Sequence, residues 1–473
     1  MIARRVAGFV VFIVGLAVLS TKMCAGSALA GQEPRALGGA WRGRIGVAGV
    51  TLEITVVFTE SAGAASGTID IPQQGARGLA LRNVRHEGNK VHFELPAGPS
   101  VAIFDGALED GRISGTFTQG PAVGSFTLAP GAAPEPPAPR EAVPYREEEI
   151  TFANGAVSLA GTLTMPQGTG PFSAVALLTG SGPQNRDEEL FGFKPFREIA
   201  DYFTRRGIAV LRWDDRGIGG STGGGPDVTT ADFATDALAA VEWLRARPGI
   251  RRDRIGLLGH SEGGLAALIA AAESPDIAFI VMLAGPALKG ETILRSQAEA
   301  IARAGGASEE TVAALSAQQD LLFRAVRTGE GWDEVIARAR AAASLKGGPG
   351  SGGKPNPALE TVIQAQIRMA KSGWYRFYLD FDPASPLQRT SCPILAVFGE
   401  LDTQVPAAAN AAALESIASR TGRTNVTTKV YPGANHLFIP ARTGAPSEYA
   451  ALEKKFVDGL LDDLSRWIEA RVK

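Results

Sequence analysis

Histidine is scarce in this chain of 473 residues, which holds only His86, His92, His260 and His436. Cysteine is scarcer still, with Cys24 and Cys392 alone. These shortages exclude a cysteine-built metal cluster and a disulfide framework. They also require any imidazole that moves protons near neutral pH to be one of four side chains. Neither sign of charge dominates, with 47 Lys and Arg against 49 Asp and Glu. That balance argues against nucleic acid or an acidic polymer as a partner. Apart from one segment at the N-terminus, no apolar run suits a membrane span, and no integral membrane domain is expected in the mature chain.

What is present reads as an ordinary globular composition, 45% apolar and 20% charged, in a chain long enough for two or three domains. Arg4 and Arg5 precede the apolar run Val6–Leu19, and Ala28-Leu29-Ala30 offers a small-residue cleavage site before Gly31. Residues 1–30 therefore read as a secretory signal peptide, with an uncleaved anchor as the alternative. The expected location is secreted or periplasmic. Cleavage would remove Arg4, Arg5 and Lys22 and move the formal net charge from -2 to -5. Only Cys392 would remain, as a small buried hydrophobe.

Residues 31–128 show short strands between glycine turns, among them Val50–Phe58, Val91–Leu95, Val101–Leu108, Arg112–Phe117 and Gly124–Leu128. This predicts a small antiparallel barrel or sandwich, with a binding role and a purely structural role both open. Residues 129–144 are a proline-rich connector, a semi-rigid spacer. From 145 to 473 a hairpin around Asn154-Gly155 leads into apolar runs separated by helical stretches, the pattern of a mainly parallel sheet covered on both faces. The interval 290–385 is too long for one crossover and predicts a helical cap, with Trp374, Tyr375, Phe377, Tyr378 and Phe381 as lining or packing residues.

Within that region Gly259-His260-Ser261-Glu262-Gly263 joins the apolar run Ile255–Leu258 to an alanine-rich helical segment. Strand, sharp turn and helix are the setting of a nucleophile elbow, which makes Ser261 the candidate nucleophile. A serine hydroxyl needs a base, and His436 is the histidine left once the β-domain pair and the elbow's own His260 are set aside, the last expected to point away from the serine. Asp402, in a turn after Ile394–Phe398, is the expected acid, with Glu400 as its rival. The order Ser, Asp, His is that of an α/β hydrolase. The oxyanion donors are expected to be the N–H of Glu262 and that of Ser181, with Gly182 next in line. Arg216 is expected to pair with Asp187 or Glu188. Gly217-Ile218-Gly219-Gly220-Ser221 is not a dinucleotide or phosphate loop, because Thr222 stands where the last glycine belongs and no Walker lysine follows. No cofactor and no metal is expected.

The elbow, the late Asp402 and His436, the run Gly180-Ser181-Gly182-Pro183-Gln184-Asn185-Arg186-Asp187 and the run Asp214-Asp215-Arg216-Gly217 together resemble bacterial α/β-hydrolase serine esterases related to the prolyl-oligopeptidase-like branch. The resemblance covers about 145–473 and implies hydrolysis of short acyl esters, in a family several of whose members carry an N-terminal β domain after a signal peptide. Many α/β hydrolases have His-Gly in the oxyanion loop, where this chain has Thr179-Gly180. The expected activity is that of a carboxylesterase working through an acyl-enzyme on a small-molecule ester. An exopeptidase or aminoacyl amidase, with Glu262 or the acids at 187–189 as a terminus clamp, is the alternative, and an inactive binding protein the second. A homo-oligomer is compatible with the sequence.

Overall fold

The computed structural model describes residues 37–47, 50–61, 64–71, 76–97, 100–119, 122–132, 143–344 and 357–472. The segment read as a signal peptide lies outside the described residues, as do most of the proline-rich connector and the glycine-rich stretch 347–353.

Nine antiparallel strands come first: β1 Gly39–Val47, β2 Val50–Ser61, β3 Ala64–Ile71, β4 Ala76–Ala80, β5 Arg82–Glu87, β6 Lys90–Ala97, β7 Ser100–Glu109, β8 Arg112–Gln119 and β9 Ala122–Pro130. They form one sheet in the order β4-β3-β2-β1-β9-β8-β7-β6-β5. Its two end strands are separated in sequence by Leu81 alone, whose N–H bonds Gly67 O on β3, so the sheet curls toward closure. The alternation Ile54, Val56, Phe58 sends one face inward. There Phe93 stacks on Phe104 at 4.4 Å, with Phe58 and Phe126 edge-on. Strands β1 and β3 to β5 are not legible as apolar runs, because glycine and charge dilute their alternation and pairing with β2, β6 and β9 holds them.

The second sheet has eight strands: β10 Tyr145–Asn154, β11 Val157–Pro166, β12 Phe172–Leu178, β13 Ile208–Trp213, β14 Ile250–His260, β15 Ile280–Leu283, β16 Ile394–Gly399 and β17 Val426–Tyr431. Their order is β10-β11-β13-β12-β14-β15-β16-β17, antiparallel through β10, β11 and β13 and parallel from β13 onward. Strands β13 and β16 are buried along their whole length and β12 from Ser173 onward, because helices cover both faces. On one face lie α2 (Thr230–Arg245), α3 (Glu262–Glu273) and α10 (Ala407–Arg420), and on the other α1 (Pro195–Thr204) and α11 (Leu460–Val472). Helix α1 illustrates how sequence sets this: Pro195 opens it, and Phe196, Ile199, Ala200 and Phe203 make one buried stripe. The chain steps from β12 to β13 on one side and then back to β14 on the other, which opens a crevice at the carboxyl ends of β12 and β14.

Between β15 and β16 the chain makes a helical excursion through α4 (Gly290–Ala304), α5 (Glu309–Thr328), α6 (Trp332–Ser344), α7 (Pro357–Ala370), α8 (Gly373–Asp380) and α9 (Ala384–Arg389). The first four follow the sequence pattern, whereas α8 is hidden in an aromatic run. Its start is set by Ser372, whose hydroxyl accepts the Tyr375 N–H at 3.2 Å. Where the excursion leaves and returns, Gly290 N–H bonds Phe381 O at 2.9 Å. A Cβ on Gly290 would lie 1.6 Å from Tyr378 O, so only glycine permits that neck.

Candidate active site

Ser261 stands between β14 and α3 with φ 51 and ψ -120, a conformation costly for a residue with a Cβ. The turn is held because strand and helix touch. A Cβ on Gly259 would lie 2.0 Å from Gly263 O, and one on Gly263 would lie 2.2 Å from Leu178 O at the end of β12. Ser261 N–H donates to Leu283 O of β15 at 2.8 Å, which fixes the elbow over the sheet. As the first residue of α3, Glu262 presents an N–H that has no intrahelical acceptor.

After β16, Asp402 is 5% exposed, and its Oδ1 accepts the N–H groups of Gln404 and Val405 at 2.7 and 2.8 Å. Its Oδ2 receives His436 Nδ1 at 2.8 Å. That bond leaves Nε2 as the free nitrogen of the His436 ring. The loop carrying His436 follows β17 and is folded by buried Asn435, whose Oδ1 accepts from Leu437 N and Ile439 N. Phe438, two residues on, has φ 55. Glu400, the sequence rival of Asp402, is exposed and accepts Gly433 N–H at 2.8 Å.

His260 is turned toward the loop that carries His436. Its ring lies 4.7 Å from that of His436, centroid to centroid, and its Nε2 meets the His436 carbonyl at 2.9 Å. Its Nδ1 meets Glu188 Oε1 at 2.8 Å. Burial by itself lowers the His260 pKa, but the Glu188 carboxylate outweighs it and the net shift is upward. Glu188 is 1% exposed, sits at φ 50, and also accepts the Gly180 N–H at 2.7 Å.

The loop after β12 is fastened at several points. Thr179 Oγ1 donates to Asp215 Oδ1 at 2.6 Å and Gln184 N–H to Asp215 Oδ2 at 2.8 Å. Burial pushes the Asp215 carboxyl well above its ordinary range despite those donors. Asp214 holds Arg186 through both main-chain and guanidinium nitrogens. The threonine hydroxyl thus fastens the loop position that many α/β hydrolases fill with histidine. Gly180 N–H is occupied by Glu188, which leaves Ser181 and Gly182 as the next donors along the loop. The Ser181 hydroxyl lies against the Glu262 carboxyl, which is fully buried and also accepts Thr230 Oγ1 at 2.5 Å and Trp374 Nε1 at 2.7 Å. Burial raises the Glu262 pKa against the pull of those donors.

Two family models match separate stretches of the chain: serine aminopeptidase, S33, over residues 193–326, and the prolyl oligopeptidase family over 367–463. The first stretch contains Ser261, the second Asp402 and His436. The esterase EstD of Thermotoga maritima is 29% identical over 369 residues, 76% of this chain and 74% of that protein. The chain is a serine hydrolase of the α/β-hydrolase fold, related to the prolyl oligopeptidase family. A thiohydrolase of Aspergillus aculeatus, aneE, is 31% identical over 143 residues, 29% of this chain and 40% of that protein. A solved structure of the Pyrococcus furiosus esterase Pf2001 aligns at TM-score 0.43 and 16% identity, over 70% of this chain and 92% of that one.

In this serine hydrolase the acids at 187–189 face inward partners. Asp187 pairs with Arg212 and Lys194, Glu188 with His260, and Glu189 with Lys194 at 3.1 Å. Arg216 does not reach Asp187 or Glu188: it pairs with Asp236 at 2.7 Å and with Asp232, tying its loop to α2 instead. Asp187 is already held by Arg212, buried on β13 at 3% exposure. The contribution of Glu188 and His260 escapes sequence reasoning. The available signals are three consecutive acids in the loop after β12 and a histidine in a chain with four.

Proposed function

We propose that this chain hydrolyses short-chain acyl esters of small molecules through an acyl-enzyme on Ser261. The observation that carries the reading is the strained Ser261 turn in a site where His436 is bonded to Asp402 at 2.8 Å. In the first step His436 Nε2 takes the hydroxyl proton as Ser261 Oγ attacks the ester carbonyl. The oxyanion accepts the N–H groups of Glu262 and Ser181, with Gly182 next to them. Collapse expels the alcohol with the proton from His436, and water repeats the sequence on the acyl group. Asp402, bonded to Nδ1, holds the ring in place and steadies the imidazolium.

The serine aminopeptidase model that matches 193–326 supports a second reading, hydrolysis of aminoacyl amides or peptides. Such an enzyme needs a carboxylate for the substrate ammonium. The candidates Glu262, Asp187, Glu188 and Glu189 all have internal partners, which favours the ester reading.

Helices α4 to α9 act in this proposal as a cap, supported by the bond from Trp374 on α8 to Glu262 beside the nucleophile. Residues 31–128 form a separate small β domain joined by 129–144, and the protein is exported after loss of 1–30. N-terminal sequencing of the secreted or periplasmic form tests that last point. The catalytic reading is tested by Ser261→Ala: turnover of p-nitrophenyl butyrate falls by at least roughly 10³-fold and labelling by a fluorophosphonate disappears. Near wild-type turnover in that variant removes it. A panel of aminoacyl amides against simple esters separates the two substrate classes.

A further inference from the structure

His260 is bounded by acceptors on both sides. A main-chain carbonyl can only accept, so the 2.9 Å contact to His436 O requires a proton on His260 Nε2. On the other side, Glu188 Oε1 already accepts the Gly180 N–H at 2.7 Å, so its 2.8 Å contact to Nδ1 is best satisfied by a second ring proton. Opposite an ionised Glu188, a neutral ring would leave a lone pair facing an oxygen lone pair in a buried place. The titratable or charged groups facing the ring are Glu188 from the loop after β12, Asp402 from the loop after β16 and the His436 ring from the loop after β17. On its own turn, Glu262 is directed instead to Thr230 and Trp374.

We infer that His260 is a buried imidazolium and a positioning residue, which couples the oxyanion loop to the loop of the general base. Through Glu188 it fixes Gly180, next to Ser181. Through the His436 carbonyl it fixes the main chain of the base. Hydrogen bonds thus join Gly180 to Glu188, Glu188 to His260 and His260 to the main chain of His436, whose ring in turn bonds Asp402 through Nδ1. The two halves of the site come from β-strand ends far apart in sequence, and this cation is the direct bond between them. Ionic bonds of this kind are strong only when both partners stay charged, and removing one partner strands the other. The inference rests on the reading of Ser261 and His436 given above.

Its test uses the small number of histidines. In the whole protein labelled with ¹⁵N-histidine, one imidazole keeps both ring nitrogens protonated at pH 8, is missing in His260→Gln, and loses a proton in Glu188→Gln. In kinetics on p-nitrophenyl butyrate, both variants lose about 10- to 100-fold in kcat with KM within about twofold, as expected for misplaced rather than missing groups. The alkaline limb of the wild-type kcat profile moves to lower pH in Glu188→Gln. A His260 ring that is neutral at pH 8, or variants that keep wild-type kcat, overturns the inference. If a variant does not fold, as judged by near-ultraviolet circular dichroism, the wild-type spectrum alone decides. If the wild type neither turns over esters nor reacts with a fluorophosphonate, the proposed function fails, and the spectrum still settles the charge of His260.

Discussion

His260 and His436 stand ring beside ring, 4.7 Å apart and tilted by 49°, yet the bond between them goes to the main-chain carbonyl of His436 and not to its imidazole. The arrangement lets one histidine brace another without occupying either nitrogen of its ring. Asp402 takes Nδ1, His260 takes the carbonyl, and Nε2 stays available.

The pairing of His436 with Asp402 sets a contrast between two neighbouring acids. Asp402→Asn removes the carboxylate that selects the His436 tautomer, and kcat on p-nitrophenyl butyrate drops on the order of 10⁴-fold with little change in melting temperature. Glu400→Gln alters only an exposed bond to Gly433 N–H and leaves kcat within about twofold.

The closeness of β14 and α3 makes Gly259 intolerant. A methyl there meets Gly263 O at 2.0 Å, main chain against main chain, so Gly259→Ala loses about 1–3 kcal/mol or more in urea unfolding and carries no activity. Gly225 is the control, since a Cβ there would meet nothing within 4 Å and its φ is not left-handed. Gly225→Ala is neutral or stabilises by about 0.4–1 kcal/mol.

Trp374 contributes a donor to a fully buried carboxylate, and the cost of losing it depends on pH. Burial raises the Glu262 pKa, so its ionised form is the strained one in the folded protein, and the indole N–H offsets part of that strain. Trp374→Phe therefore destabilises by about 1.5–3 kcal/mol at pH values above the folded-state pKa of Glu262. The deficit shrinks as pH falls through that raised value, because a neutral carboxyl no longer needs a charge-assisted donor. Urea unfolding at pH 8 and pH 5 measures the difference.

Cys392 is buried, and burial pushes its thiol up to about 11. Alkylation by iodoacetamide at pH 8, read on the peptide containing Cys392, is at least about tenfold slower in the native protein than in guanidinium. Equal rates would show that the thiol is accessible.

The sequence carries the parts of this molecule that repeat a local rule. Apolar runs of β12, β13 and β16, the stripe of α1 and the glycines about Ser261 each state their structure within a dozen residues. Helix α8 does not, since Trp374, Tyr375, Phe377 and Tyr378 describe a helix face and a pocket lining equally well. Strand β1 is likewise hidden, because Gly43 and Gly46 interrupt an alternation completed by β2 and β9. The link between His260 and Glu188 lies furthest from legibility. The two residues are 72 positions apart, and nothing local marks a glutamate in an acidic run as the one that turns inward. Arg216 misleads for the same reason: its position after β13 is right for the loop at 187–189, but Asp236 on α2 is nearer.

The neck at Gly290 and Phe381 has an evolutionary corollary. A segment that departs and rejoins at one narrow neck, where Gly290 meets Tyr378 and Phe381, can be exchanged as a cassette, because the strands on either side are paired to each other along Ile280–Leu283 and Ile394–Val397 without its help. A different set of helices can then be grafted there with the sheet left untouched, provided the graft supplies a donor where the indole of Trp374 now reaches the Glu262 carboxylate beside Ser261.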